Sequence, residues 1–224
     1  MAHDDIAEVI NPNSLNKDAI WHVQFTVFLA LLLQLALPDN FVVGPRFVLP
    51  LLEALLVISL YVTSKKTKLI DPFFRKFSSV TLIILIAAAN AYALQSLAHQ
   101  LLSGNVADGK SLILTAINIF FTNIIVFGLF YWEIDAGGPV KRRKSSLRER
   151  DFSFPQMQNP ELAPRGWMPN FIDYLYTSAT NATAFSPTDT LPLTRRVKLF
   201  MLAQSLISLA TLALVASRAV NILK

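Results

Sequence analysis

Ser186, Thr188 and Asp189 in one compact polar turn, AFSPTDTLP, with Thr183 just before it, bring hydroxyls and a carboxylate together between two helical stretches. With Ala184, Phe185, Pro187 and whichever carbonyls the turn exposes, these oxygens can line an opening for an ion. Downstream, Gln204, Ser208 and Thr211, continued by Val215 and Arg218, recur at spacings of four and three, one narrow helical face with little bulk. Such a stripe either faces water or packs closely on another helix through small polar residues. Glu53 stands inside an apolar run, where a carboxylate costs about 2.5–3.5 kcal/mol unless it is paired, protonated or facing water. It either contacts an ion or proton or ties its helix to a polar group on a neighbour. Catalytic patterns are missing: there is no G-x-S-x-G, H-E-x-x-H or P-loop, and His3, His22 and His99 are scattered. Without cysteine there is no disulfide, thiolate or iron–sulfur chemistry either. The expectation is a non-enzyme with no catalytic, cofactor or metal site.

The elements that must hold these residues are membrane spans. Hydrophobic residues make up 53% of the chain and charged residues 16%, and the runs are continuous rather than alternating, which predicts an all-α membrane protein. After a polar segment at 1–19, span one covers 20–37, closed by Pro38, with Trp21 and His22 as interfacial rings. Span two covers 47–63, span three 77–101 and span four 111–132. Asn90 is the one deep polar residue of span three and reads as an interhelical hydrogen bond, while Thr115, Asn118 and Thr122 share a face of span four that meets another helix. Gly137, Gly138 and Pro139 end span four, and a basic loop fills 133–169. Its run KRRKSSLRER suits anionic lipid head groups, RNA or plain solvation, the last being the commonest meaning. The net charge of +5 sits in such loops and so speaks of topology, not of nucleic acid. No cleavable signal peptide and no internal repeat are visible.

A helix over 170–183 is roughly 20 Å long, too short for a hydrocarbon core of about 30 Å. It can enter a membrane but not cross it. Half-helix, polar turn and a full span at 194–222 therefore predict a re-entrant, pore-type hairpin over 170–192, for a total of five transmembrane helices. The chain divides into the polar segment, a three-helix region at 20–101 and a pore-like module at 111–224 with span four as outer helix. Asn181, Ala182 and Thr183 match the N-glycosylation sequon, but inside such a helix it is out of reach.

Read without gaps, DYLYTSATNATAFSPTDTLPLTRRVKLF resembles the pore segment of potassium channels through Asp173, Leu175, Tyr176, Ser178, Thr183, Asp189, Pro192, Leu193, Thr194, Lys198, Leu199 and Phe200. The resemblance covers about the last fifty residues and span four; spans one to three have no counterpart in the simplest such channels. It implies a homotetramer around a shared axis. In that family glycines aim successive filter carbonyls at the ion. Here Ser186 and Thr188 take the glycine positions and Pro187 the tyrosine position, fixing φ near −65° and biasing Ser186 toward extended geometry. A potassium-selective stack of carbonyl rings is not expected. The wider chain, through YWEIDAGGP, DFSFPQM and NATAFSPTDT, resembles a group of bacterial integral membrane proteins, which implies a multi-pass protein of the bacterial plasma membrane without implying an activity.

The expected function is a channel-like protein passing small inorganic cations, drawn by the half-helix's C-terminal partial negative charge at mid-membrane. Its partners are further copies of the chain, tetramer favoured, and membrane lipid. The alternative is a non-conducting structural or regulatory membrane subunit. Orientation follows from charge: one side carries Lys17, the cluster at 65–76, the loop cations at 141–165 and Arg195, Arg196 and Lys198, against Arg46, Lys110, Arg218 and Lys224 on the other. The positive-inside rule puts the first side in the cytoplasm, which inverts the hairpin relative to potassium channels.

Overall fold

The structure, a computed structural model, describes residues 16–42, 51, 72–103, 109–143, 145–164, 166–186 and 189–222. The predicted span two with Glu53, apart from Leu51, the basic loop at 64–71 and the turn residues Pro187 and Thr188 lie outside the described residues. Five helices organise the rest: α1 (Asn16–Leu35), α2 (Pro72–Ser103), α3 (Gly109–Ile134), α4 (Phe171–Ala184) and α5 (Arg195–Ile222). Among the described residues three helical stretches, Val80–Ser103, Ser111–Gly137 and Arg195–Ser217, are long and apolar enough to cross a membrane, and Phe25–Leu35 is a shorter apolar helix. The chain is built as a helical membrane protein.

α3 is the central post, packed against each of the other four helices. It runs antiparallel to all of them, as the contacts along its length show. Towards its C-terminal end Ile125, Val126 and Leu129 pack with Val27 and Ala30 of α1, Leu82, Ile83 and Ile86 of α2 and Phe171 of α4. Towards its N-terminal end Leu112, Ala116 and Ile119 meet Leu37 and Phe41 just past α1 and Ala93 and Leu97 of α2, with Leu214 and Val215 of α5 against them. Polar ties fix the registers: Asn90 donates to the Ile119 carbonyl at 3.3 Å, and Asn118 donates to the Leu33 carbonyl. The expected interhelical roles of Asn90 and of the Thr115, Asn118 and Thr122 face are what these helices show, the last three being buried.

Large side chains that stay exposed, such as Leu199, Leu202, Leu206 and Leu209 on α5, need no covering in lipid, where an apolar surface carries no solvation cost.

α3 stops at a sharp reversal. Ala136, Gly137 and Gly138 all have positive φ (51°, 81° and 102°), and a Cβ on Gly138 would stand 3.1 Å from the Glu133 carbonyl. Only glycine fits there without strain. The following loop is ordered by single turns at Pro139–Arg142, Leu147–Glu149, Pro155–Gln158 and Pro160–Leu162. Strand β1 (Phe152–Ser153) pairs antiparallel with β2 (Leu191–Pro192), Phe152 opposite Pro192.

Candidate functional site

Three features are built around α4: the hairpin tip, a polar hub on α5 and a buried charge frame. α4 starts with a capping box: the Asn170 side chain accepts from Ile172 N–H, and Asp173 accepts from Asn170 N–H at 2.7 Å. It begins beside the C-terminal end of α3, where Trp132 and Phe171 stack edge to face at 6.2 Å. Lower down, Leu175 lies over Gly128, whose missing side chain lets the helices touch, and Ser178 Oγ donates to the Ile124 carbonyl at 2.7 Å. Six residues later α4 ends, roughly level with the middle of α3 at about 1.5 Å per residue. By Thr190 the chain has climbed back beside Thr177, the hydroxyls 3.2 Å apart, and β2 returns it to the end where α4 began. α5 then descends in the same direction as α4, but to the far end of α3.

The tip of this hairpin holds the exposed part of the predicted pathway. Thr183, Ala184, Phe185, Ser186 and Asp189 are all exposed. Phe185 ends the helix in the left-handed region at φ 55°, and Thr183 Oγ1 donates to the Ala179 carbonyl at 2.8 Å, leaving its oxygen free to accept.

The other predicted lining residues face the opposite way. Gln204, Ser208 and Thr211 are buried, at 0%, 1% and 1% exposure, and point into the chain's own bundle. Gln204 is a hub: its Oε1 accepts from Tyr131 Oη at 2.7 Å and from Asn181 Nδ2 at 2.8 Å, while its Nε2 donates to the Ser178 carbonyl and Oγ at 3.0 and 2.6 Å. Asn123 Nδ2 donates to Ser208 Oγ at 3.0 Å, and Asn181 also reaches the Met201 carbonyl at 2.9 Å. Of the two meanings of the stripe, close packing is the one seen within the chain. The structure thus does not bring Gln204, Ser208 and Thr211 together with the tip; Gln204 alone of the three reaches Asn181, a turn before the end of α4.

The third feature, missed in the sequence, is a buried charge frame above the hairpin. Asp135 accepts from Asp151 N–H at 2.7 Å and from the Tyr174 hydroxyl, and lies 3.8 and 3.6 Å from the guanidinium nitrogens of Arg142 and Arg150. Asp151 returns the favour to α3 by accepting from Ala136 N–H at 3.1 Å, and it accepts from Thr194 at 2.7 Å and Arg196 Nε at 2.8 Å. The two aspartates therefore tie the end of α3, the loop, α4 and the first turn of α5 into one frame. Phe152, Phe154 and Tyr174 close it with edge-to-face rings, and Arg142 stacks over Tyr174 at 4.7 Å. Burial pushes the Asp151 carboxyl up, but the hydrogen bonds from Arg196, Thr194 and Ala136 outweigh it and hold the group below its ordinary value. Burial lowers the Arg150 guanidinium against the pull of Asp135. The loop run therefore splits: Arg142 and Arg150 turn inward, while Lys141, Arg143 and Arg148 are exposed. The only sequence trace of the frame is the pair Asp135 and Asp151, each next to a hydrophobic residue in YWEIDAGGP and DFSFP.

Among the described residues no group of His, Cys, Asp and Glu could hold a metal ion. Comparison with known families, with curated proteins and with solved structures finds no match to this chain.

Proposed function

We propose that this chain is a channel-like membrane protein in which the α4 hairpin re-enters the bilayer, and that several copies, four being favoured, surround a pathway for small inorganic cations. The observation that carries the reading is geometric. α4 and α5 start at the same end and run the same way, yet α4 stops halfway with Thr183, Ser186 and Asp189 exposed. In lipid a carboxylate and irregular backbone at that depth are stable only against protein or trapped water. Further copies of the chain arranged around water supply both.

The five-span count is supported by connectivity. Phe41, past α1, packs near the N-terminal end of α3, whereas α2 sets out from the C-terminal end, so the chain between them has to change sides. The apolar run at 47–63 is of spanning length. A plasma membrane of a bacterium is the setting the sequence resemblance implies.

Conduction with weak selectivity is the expected result. Purified protein in vesicles should release small monovalent cations, with reversal potentials that differ little between potassium and sodium. Native mass spectrometry should give a four-fold assembly. A monomer, or a flux no greater than that of empty vesicles, would sink the channel reading. The burial of Gln204, Ser208 and Thr211 favours the second reading, a non-conducting structural or regulatory subunit, because the polar face of α5 is consumed by contacts within the chain. Absence of flux from an intact tetramer selects it.

A further inference from the structure

We propose that the loop seated on the C-terminal end of α3 is a docking surface for the anionic lipid of the adjoining leaflet, with Lys141 and Arg148 taking head-group phosphates and Leu147 entering the acyl boundary. The inference rests on the chain being a membrane protein and not on conduction. The charge frame decides which side chains are available. Arg142 donates to the Trp132 carbonyl at 2.8 Å and Arg150 to the Arg142 carbonyl at 2.9 Å, so the loop is pinned directly on the end of an apolar helix. This is the depth of the head-group layer, which adds only about 5–7 Å on each side of the hydrocarbon.

Pinning those two cations inward turns their neighbours outward: Lys141, Arg143 and Arg148 are exposed, and Arg195 and Lys198 join them from the first turn of α5. Of the exposed loop carboxylates, Glu149 is occupied by Ser146 N–H at 2.8 Å, and Glu161 lies on a separate turn. Leu147 is 64% exposed and adjoins the exposed Arg148 on a turn closed by a capping box. An exposed leucine next to an exposed arginine on a capped turn matches a lipid surface, with phosphate outside and acyl chain beneath. RNA would gain nothing from Leu147.

The test uses the full chain in nanodiscs of phosphatidylcholine with or without phosphatidylglycerol and reads the melting temperature. Phosphatidylglycerol should raise it by several degrees, and about 0.5 M NaCl should remove the gain. The Lys141→Glu/Arg148→Glu variant alters only exposed side chains and should lose more than half of the gain. An equal gain in the variant overturns the proposal. So does a gain reproduced in pure phosphatidylcholine by inorganic phosphate or by a single-stranded RNA, since the ligand is then not the bilayer. Independently, Leu147→Trp in discs with brominated acyl chains should show its added emission quenched; unquenched emission overturns the proposal even if the charge variant does not fold.

Discussion

Gln204 makes four hydrogen bonds, which is all that its side-chain amide needs to be satisfied in a buried place. Replacing it by leucine takes from Tyr131 Oη its partner at 2.7 Å and from Asn181 and Ser178 one of their partners each. Unmet buried groups cost about 1–3 kcal/mol each, softened in membranes where alternative partners are found, so Gln204→Leu should lower the melting temperature by about 5 °C. An unchanged value would mean the hub is dispensable. Asp151 gives a second residue-scale test. Its carboxyl is held below the ordinary range in the folded chain, so its contribution is complete above the unfolded value near pH 4 and is lost as pH falls through the folded value. The stability gap between wild type and Asp151→Asn should stay level from about pH 7 to pH 5 and shrink below about pH 4. A gap that shrinks on raising the pH instead would contradict the pairing with Arg196. Neither residue was legible for its role in the sequence. A three-four spacing is the same whether a stripe meets water or a helix, and an ion pair between a buried Asp151 and a half-exposed Arg196, 45 residues apart, leaves no local pattern.

Helices themselves were far more legible. The short helix expected at 170–183 is observed as Phe171–Ala184, and the last helix, expected over 194–222, as Arg195–Ile222. Spans three and four lie within Pro72–Ser103 and Gly109–Ile134, and the first helix, expected over 20–37, is Asn16–Leu35. Hydrophobic run length and capping residues mark such elements well. The loop at 133–169 was less legible, because its order comes from aromatic rings and aspartates that meet only in three dimensions. Close approach of α3 and α4 depends on Gly128, where a Cβ would lie 3.1 Å from both Cα and Cδ1 of Leu175. Gly128→Ala should cost about 1 kcal/mol and Gly128→Val about 3 kcal/mol, with the hairpin lifted off α3. Protease sensitivity at 184–190 reads this directly, and a Gly128→Val chain as resistant as wild type would deny the close contact.

At the scale of the molecule, the charge frame and the exposed cations lie at one end of the bundle, the end where α1, α2, α4 and α5 begin. By the positive-inside rule that end is expected in the cytoplasm, and a re-entrant hairpin would then enter from inside, opposite to the arrangement in potassium channels. Alkaline phosphatase fused to the C-terminus should therefore be active and a fluorescent reporter there dark. A dark phosphatase with a bright reporter would restore the ordinary orientation.

The hub on α5 also dictates an order of synthesis. Ser178 and Asn181 leave the ribosome before Gln204, which hydrogen-bonds to both. Until α5 is laid down, α4 is a short helix with amides and hydroxyls on its inner face, too polar and too brief to partition into lipid unaided. The hydrogen bonds from Gln204 to α4 can therefore form only once α5 has been made. A chain truncated after Thr194 and released from the ribosome should leave residues 171–184 open to protease, while the complete chain protects them; protection in the truncated chain would show that the seat on α3 is sufficient without α5.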